Sequence, residues 1–224
     1  RGAPYARAAG VDPALQEAAM IRQPEMPREA SAIAAPAVDL SFPRRWRAEI
    51  LAARPAILPA RHFVYPAQAE EAERGALEVM VVPQPDRNPA RPFLATCALG
   101  FRDPAAPTGI WSTPEPETIC ALSGGYAYLI DTAEPQRFTM LGLRPVLEIR
   151  ALPQQSLLLF AGHRSIVAWG SQGLAWESEK LSDEGLTLGH IENGILHGTG
   201  WEMMGDRETA FLLDLGTGAR LQGG

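Results

Sequence analysis

The residues best suited by type and spacing to do chemistry lie in one short stretch, "GLTLGHIENGILHGTGWE", residues 185 to 202. Asn193-Gly194 is the dipeptide of a type I′ hairpin turn, in which both central positions take positive φ. Counting outward from that turn pairs Glu192 with Ile195, Ile191 with Leu196, His190 with His197, Leu188 with Thr199 and Leu186 with Trp201. Imidazoles that face each other across a strand pair stand roughly 5 Å apart at Cβ. That is close enough to share a metal ion, and Glu192 adds a carboxylate oxygen from the same face. Two histidines, a carboxylate and a water make the donor set of a catalytic zinc site. In this register, however, the same face also carries Leu186, Leu188 and Trp201, so it grades from apolar at the open end to polar at the turn. A half-buried hairpin whose tip leaves the core shows that gradient without any ligand. No resident metal or other cofactor is therefore expected, and His190, Glu192 and His197 are the set that would hold one.

The opposite face of this hairpin lacks side chains at Gly189, Gly198 and Gly200. Glycines inside strands mark a close approach by another backbone or by a ligand. Tight packing is the expected cause, and a partner-binding groove is the alternative that the same three residues would line. Elsewhere the signals are thinner. Ser165 follows His163 in "GHRSIV", but no strand-Gly-x-Ser-x-Gly elbow surrounds it. The glycine pair of "LSGGYAYLID" reads as a turn, because phosphate-binding loops place their glycines between a strand and a helix. Glu115 and Glu117 in "TPEPETIC" form an acidic loop between prolines. Cys97 and Cys120 sit in apolar runs and read as buried free thiols, with a single disulfide as the alternative.

The elements that must position these residues fall into two stretches of the 224-residue chain. From residue 76 onward, short β-type runs recur between Pro, Gly, Asp and Asn, among them "LEVMVV", "FLATCALGF", "GYAYLI", "SLLLFAG", "SIVAWG", "GLAWES" and "TAFLLDL". No segment of helical period interrupts them, so parallel crossovers have nowhere to go and residues 76–224 are expected to be all-β. An antiparallel sandwich, a barrel or partial propeller-like sheets all satisfy that spacing. Residues 1–75 are rich in Ala, Pro, Arg and Glu and read as an irregular N-terminal arm with one or two short helices. "VDPALQEAAMI", with Asp12 as N-cap and Pro13 at the first helical position, is one of these, and "RRWRAEILAA" is the other. Trp46, Ile50, Phe63 and Tyr65 within the arm demand burial.

Residues 157–224 carry a further pattern, strand, Asp or Gly turn, strand, with a tryptophan near a strand end. "DLGTG" at 214–218 resembles the turn that closes blades in quinoprotein-type β-propellers, where an Asp side chain and glycines tie a tight reversal, and "GSQGLAWES" is similar to the Trp-bearing strand of such repeats. The resemblance implies local sheet geometry only and brings no quinone-binding residue, since the signature occurs once where a propeller repeats it. The run from "FLATCALGF" to "LDLGTG" also resembles a bacterial all-β family with no assigned activity.

Composition narrows the function. Twenty basic residues against 26 acidic give a net charge of -6, and the arginines are dispersed, which excludes a nucleic-acid surface as the main business. No apolar run reaches the roughly 18 residues of a membrane-spanning helix. No charged-then-apolar leader opens the sequence as given, so a cytoplasmic location is the default expectation, and because it begins on Arg1 a removed leader to the periplasm or exterior stays open. The expected function is a non-catalytic binding or assembly module whose partner is another protein or a second copy. Its rival is a metal-assisted or hydrolytic enzyme that uses His163, His190 and His197.

Overall fold

The computed structural model describes residues 35–67, 75–83, 91–101 and 106–222. Among these residues the chain is all-β, with 17 strands in four mostly antiparallel sheets and one 3-10 turn at Pro153–Gln155. Sheet I holds β2 (Trp46–Leu51), β4 (Ala76–Pro83), β5 (Phe93–Ala98) and β3 (His62–Tyr65) in that order, with β3 parallel to β5. In sheet II the short β1 (Ala37–Asp39) runs parallel to β6 (Gly109–Ser112), followed by β7 (Thr118–Ser123), β8 (Tyr126–Asp131) and β9 (Phe138–Met140). Sheet III is the meander β10 (Glu148–Leu152), β11 (Leu157–Ala161), β12 (Ile166–Gly170), β13 (Gly173–Glu177). Sheet IV is the meander β14 (Leu186–Glu192), β15 (Ile195–Glu202), β16 (Arg207–Asp214), β17 (Arg220–Leu221).

An antiparallel sheet with one apolar face must cover that face, and here each sheet covers the next. Trp46, Val79, Phe93 and Cys97 of sheet I pack with Ile119, Tyr128 and Ile130 of sheet II. The other face of sheet II, with Trp111, Cys120 and Leu129, meets Leu158, Phe160 and Trp169 of sheet III. The remaining face of sheet III, with Leu159, Ala168 and Trp176, meets Leu188, Leu196, Phe211 and Leu213 of sheet IV. Sheets II and III are thus buried on both sides, which is why β7, β11 and β12 are apolar or small along their whole length.

Two expectations for the N-terminal part are corrected. "RRWRAEILAA" is not helical: its Trp46, Ala48 and Ile50 alternate with Arg47 and Glu49, a period of two that lays the apolar set on the sheet I core as β2. The compositional change at residue 75 is also no structural boundary, because β2 and β3 pair with β4 and β5 inside one sheet. Trp46 Nε1 donates to the Thr118 carbonyl at 3.3 Å, and the Tyr65 hydroxyl donates to the Pro135 carbonyl at 2.7 Å, so residues of the expected arm hold sheet I against sheet II. The helix expected at 11–21 lies outside the described residues. Among the described residues no helix is long and apolar enough to cross a membrane.

Candidate functional site

The hairpin β14–β15 turns at Asn193 and Gly194 with φ of 50° and 79°, the pair of positive values that a type I′ turn requires. Next to the turn the register is the one counted from the sequence, Glu192 opposite Ile195 and Ile191 opposite Leu196. Beyond it a β-bulge between Leu188 and Ile191 shifts the pairing, so Leu188 faces Gly198, Thr187 faces Thr199 and Leu186 faces Gly200. One extra residue moves every side chain beyond it to the other face. Leu186 and Leu188 therefore point into the core with Ile191 and Leu196, whereas His190 stays outside with His197, Thr199 and Trp201. Trp201, expected in the core, is 36% exposed.

The bulge is held from the neighbouring sheet. Gly189 sits in it, and a Cβ there would lie 2.7 Å from the His197 carbonyl oxygen. Arg150 of β10 donates from Nη1 to the Gly189 carbonyl and from Nη2 to the Leu188 carbonyl at 2.8 Å, and its guanidinium is paired with Glu148 at 2.6 Å. Backbone carbonyls displaced from a ladder need such partners. The other two glycines are filled from within the molecule. A Cβ on Gly198 would strike the Phe211 ring at 2.3 Å, and one on Gly200 would meet the Leu181 carbonyl at 2.7 Å. The Phe211 ring and the Leu181 carbonyl therefore leave no room for a side chain at Gly198 or Gly200.

On the outer face the His190 and His197 rings are stacked, with centroids 4.1 Å apart and planes 18° from parallel. Nitrogen or oxygen atoms of His190, His197 and Glu192 all lie within 4.8 Å of one another. Apart from the ring stack, no hydrogen bond or ion pair engages these three side chains among the described residues.

A second region lies at the opposite end of the sheets. In a meander, alternate connections fall at the same end, which brings together the loops β9–β10, β11–β12, β13–β14 and β15–β16. They line a cleft of about 640 Å³ with Arg144, His163, Arg164, Ser165, Glu177 and Glu184. Arg144 lies over the Tyr126 ring at 5.4 Å. Asp183 also lines the cleft, and the Lys180 ammonium and the Met203 N–H hold its carboxyl below the usual aspartate range. Ser165 and His163, weighed from the sequence as a hydrolytic pair, both reach this cleft, but no hydrogen bond joins them among the described residues. The sequence analysis missed Arg144, Arg164, Glu177 and Glu184. Counting strands in pairs would have put their loops at one end.

Also missed is a polar chain in sheet I. Glu78 and Thr96 face each other across β4 and β5, both buried, with Thr96 Oγ1 donating to Glu78 at 2.6 Å. His62 Nε2 lies 2.8 Å from the same hydroxyl, and Arg54 Nε donates to the other Glu78 oxygen at 2.7 Å. The sequence signal was one polar residue inside each of two apolar runs. Cys97 and Cys120 are free and buried, and burial pushes both thiols well above their usual range. Glu117 of the acidic loop meets Arg45 of the same chain at 3.3 Å.

The "DLGTG" turn closes β16 onto β17. Asp214 Oδ1 accepts from the Thr217 N–H at 2.8 Å and the Thr217 hydroxyl at 2.7 Å, which holds its carboxyl below the usual range. Gly218, at φ 72°, lies against the Trp176 ring, where a Cβ would be 2.5 Å from the ring. Compared with known proteins, the chain matches no family model and no curated sequence.

Proposed function

We propose that the protein is a non-catalytic binding or assembly module made of propeller-type sheets, which contacts a protein partner or a second copy through its loops. The propeller reading is supported by spacing: β6, β10 and β14 begin at residues 109, 148 and 186, close to the ~40-residue period of propeller blades. Three successive four-stranded meanders follow that period, and the Asp-tied turn at 214–218 closes the last. The observation that carries the binding reading is apolar exposure beside the cleft. Met203 and Met204 in the β15–β16 loop are 62% and 97% exposed, next to the half-open Trp201. Methionine adapts to irregular partner surfaces, and tryptophan combines a large apolar face with a polar edge, so both suit a contact surface. Charged groups of both signs in the cleft would orient the partner.

The test is a photo-crosslinking residue at position 204, paired with sedimentation of the wild type and of Met203→Glu/Met204→Glu. Crosslinks to a copy or to one partner, lost in the double variant, support the module. A residue at 204 that crosslinks to nothing in native lysate or in concentrated protein removes the reading. A second reading, metal-assisted hydrolysis at His190, Glu192 and His197, is favoured by the convergence of their donor atoms. Its test is metal-dependent cleavage of a chromogenic ester or phosphate that His190→Ala and His197→Ala abolish.

A further inference from the structure

We propose that His190, Glu192 and His197 form a surface site for a first-row divalent transition ion, with Zn²⁺ the best-matched. The site goes beyond the binding module and does not depend on it, whereas the metal-assisted reading depends on the site.

The case against a metal was the gradient of one face from leucine to histidine. The bulge removes that gradient, because Leu186 and Leu188 lie on the core side and the histidine face carries Thr199 and the exposed Trp201 instead. Burial at a core boundary no longer explains two imidazoles and a carboxylate placed together. Their donor atoms lie within 4.8 Å. A tetrahedral zinc with bonds of about 2.1 Å sets its ligand atoms roughly 3.4 Å apart. The donors close that gap by side-chain rotation alone, since the three residues are exposed or half-buried and their polar atoms are otherwise unengaged. Binding rotates the stacked rings so that one nitrogen of each converges, which breaks the 4.1 Å stack.

The backbone under the donors is fixed independently of any ion. On one side is the type I′ turn, and on the other is the bulge gripped by Arg150 from sheet III. A site held this way loses little conformational freedom on binding. Two imidazoles with one carboxylate select zinc, copper or nickel over calcium and magnesium, which take all-oxygen sets. With three protein donors, a fourth position stays open to water. The remaining histidines are elsewhere: His62 is tied to Thr96 and His163 lines the cleft at the other end.

The experiment titrates Zn²⁺ into the untagged, chelator-treated full chain by calorimetry near neutral pH, with ring-nitrogen NMR of the four histidines alongside. One equivalent is expected, with the His190 and His197 rings perturbed together. Affinity should fall at least about tenfold in His190→Ala or His197→Ala, a loss that even removal of a supporting partner produces at metal sites. Glu192→Gln should weaken binding less, and His62→Ala and His163→Ala should leave it unchanged. Circular dichroism confirms that each variant is folded. No uptake of Zn²⁺, Ni²⁺ or Cu²⁺, or uptake that survives the His190→Ala/His197→Ala double variant, overturns the site. Uptake with no ester or phosphate cleavage leaves the site standing and removes only the enzymatic reading.

Discussion

On the inner face of sheet IV, Leu188, Leu196, Phe211 and Leu213 are buried against Trp176 of sheet III, and Gly198 and Gly200 give up their side chains to admit a ring and a connecting segment. On the outer face of the same strands stand His190, Glu192, His197 and Trp201, chemically richer and largely unengaged. Both faces come from one hairpin of ordinary alternation, and a single extra residue decides which side chain belongs to which. The difference shows where selection for packing ends. The inner face has every position filled, and the outer face keeps polar donors that packing does not require.

Gly189 is the extra residue of the bulge, and it sets Leu188 opposite Gly198 and turns it inward. Leu188→Ala attacks that division most directly. Emptying one buried leucine site costs about 2–5 kcal/mol, so this variant should show a large fall in the denaturation midpoint. A Leu188→Ala variant as stable as the parent would mean that the bulge does not turn Leu188 into the core.

The two tryptophans sharpen the same contrast. Trp176 is 8% exposed and donates from Nε1 to the Leu215 carbonyl at 2.8 Å. Trp176→Ala should cost about 3–5 kcal/mol. Trp201→Ala should stay within about 1 kcal/mol, since exposed positions change stability little. Equal losses in chemical denaturation would return Trp201 to the core, where the sequence register had put it.

Which residues share the outer face of β15 was legible from sequence, and the inner face was legible only near the turn, since Leu186 and Leu188 beyond it were counted onto the histidine side. Asn193-Gly194 fixes pairing for the first residues on each side through its φ values, but nothing in "LTLGHIE" announces an extra residue, because glycine in a strand marks either a bulge or a close approach. In the rest of the fold, runs such as "SIVAWG" and "TAFLLDL" read correctly as strands. β6 was missed because it is only four residues long and β7 because its start continues the Pro- and Glu-rich loop "TPEPE", and β1, β9 and β17 because strands of two or three residues leave no pattern. The cleft was invisible for another reason: its residues come from four loops, and only strand parity along the whole chain brings them together.

The Arg150 clamp links the two faces, and its loss should be intermediate in size. Arg150→Met keeps most of the apolar stem but leaves the Leu188 and Gly189 carbonyls without their donor and Glu148 without its partner. An unsatisfied buried group costs about 1–3 kcal/mol, and here the group is half-buried, so the lower part of that range is expected. The more telling readout is NMR of the histidine rings. If Arg150 positions the bulge, the His190–His197 stack should loosen in the variant while the Asn193-Gly194 turn keeps its shifts. Unchanged ring shifts would show that the bulge holds itself, with Arg150 only an added ion pair.

The smallest expected effect lies at the Asp-tied turn that closes the sheet. Hydrogen bonds from the Thr217 hydroxyl and N–H hold the Asp214 carboxyl below its usual range, so the ionised form is favoured in the folded chain. Its contribution is therefore fully present above the ordinary aspartate value of about 3.9 and is lost as pH falls through the lower folded value. Asp183, held down by Lys180 and the Met203 N–H, obeys the same sign at the cleft. Both aspartates are half-buried and tie loops at the ends of strands, so acidification should fray these two loops before it opens any sheet. Hydrogen exchange between pH 5 and pH 3 checks this: the Thr217 and Met203 amides should lose protection first, with Leu196 and Leu213 in the inner face unaffected. In Asp214→Asn the acid-dependent step at Thr217 should vanish, because the asparagine oxygen still accepts a hydrogen bond but carries no charge to titrate. A step that persists in this variant would assign the acid response to another carboxyl.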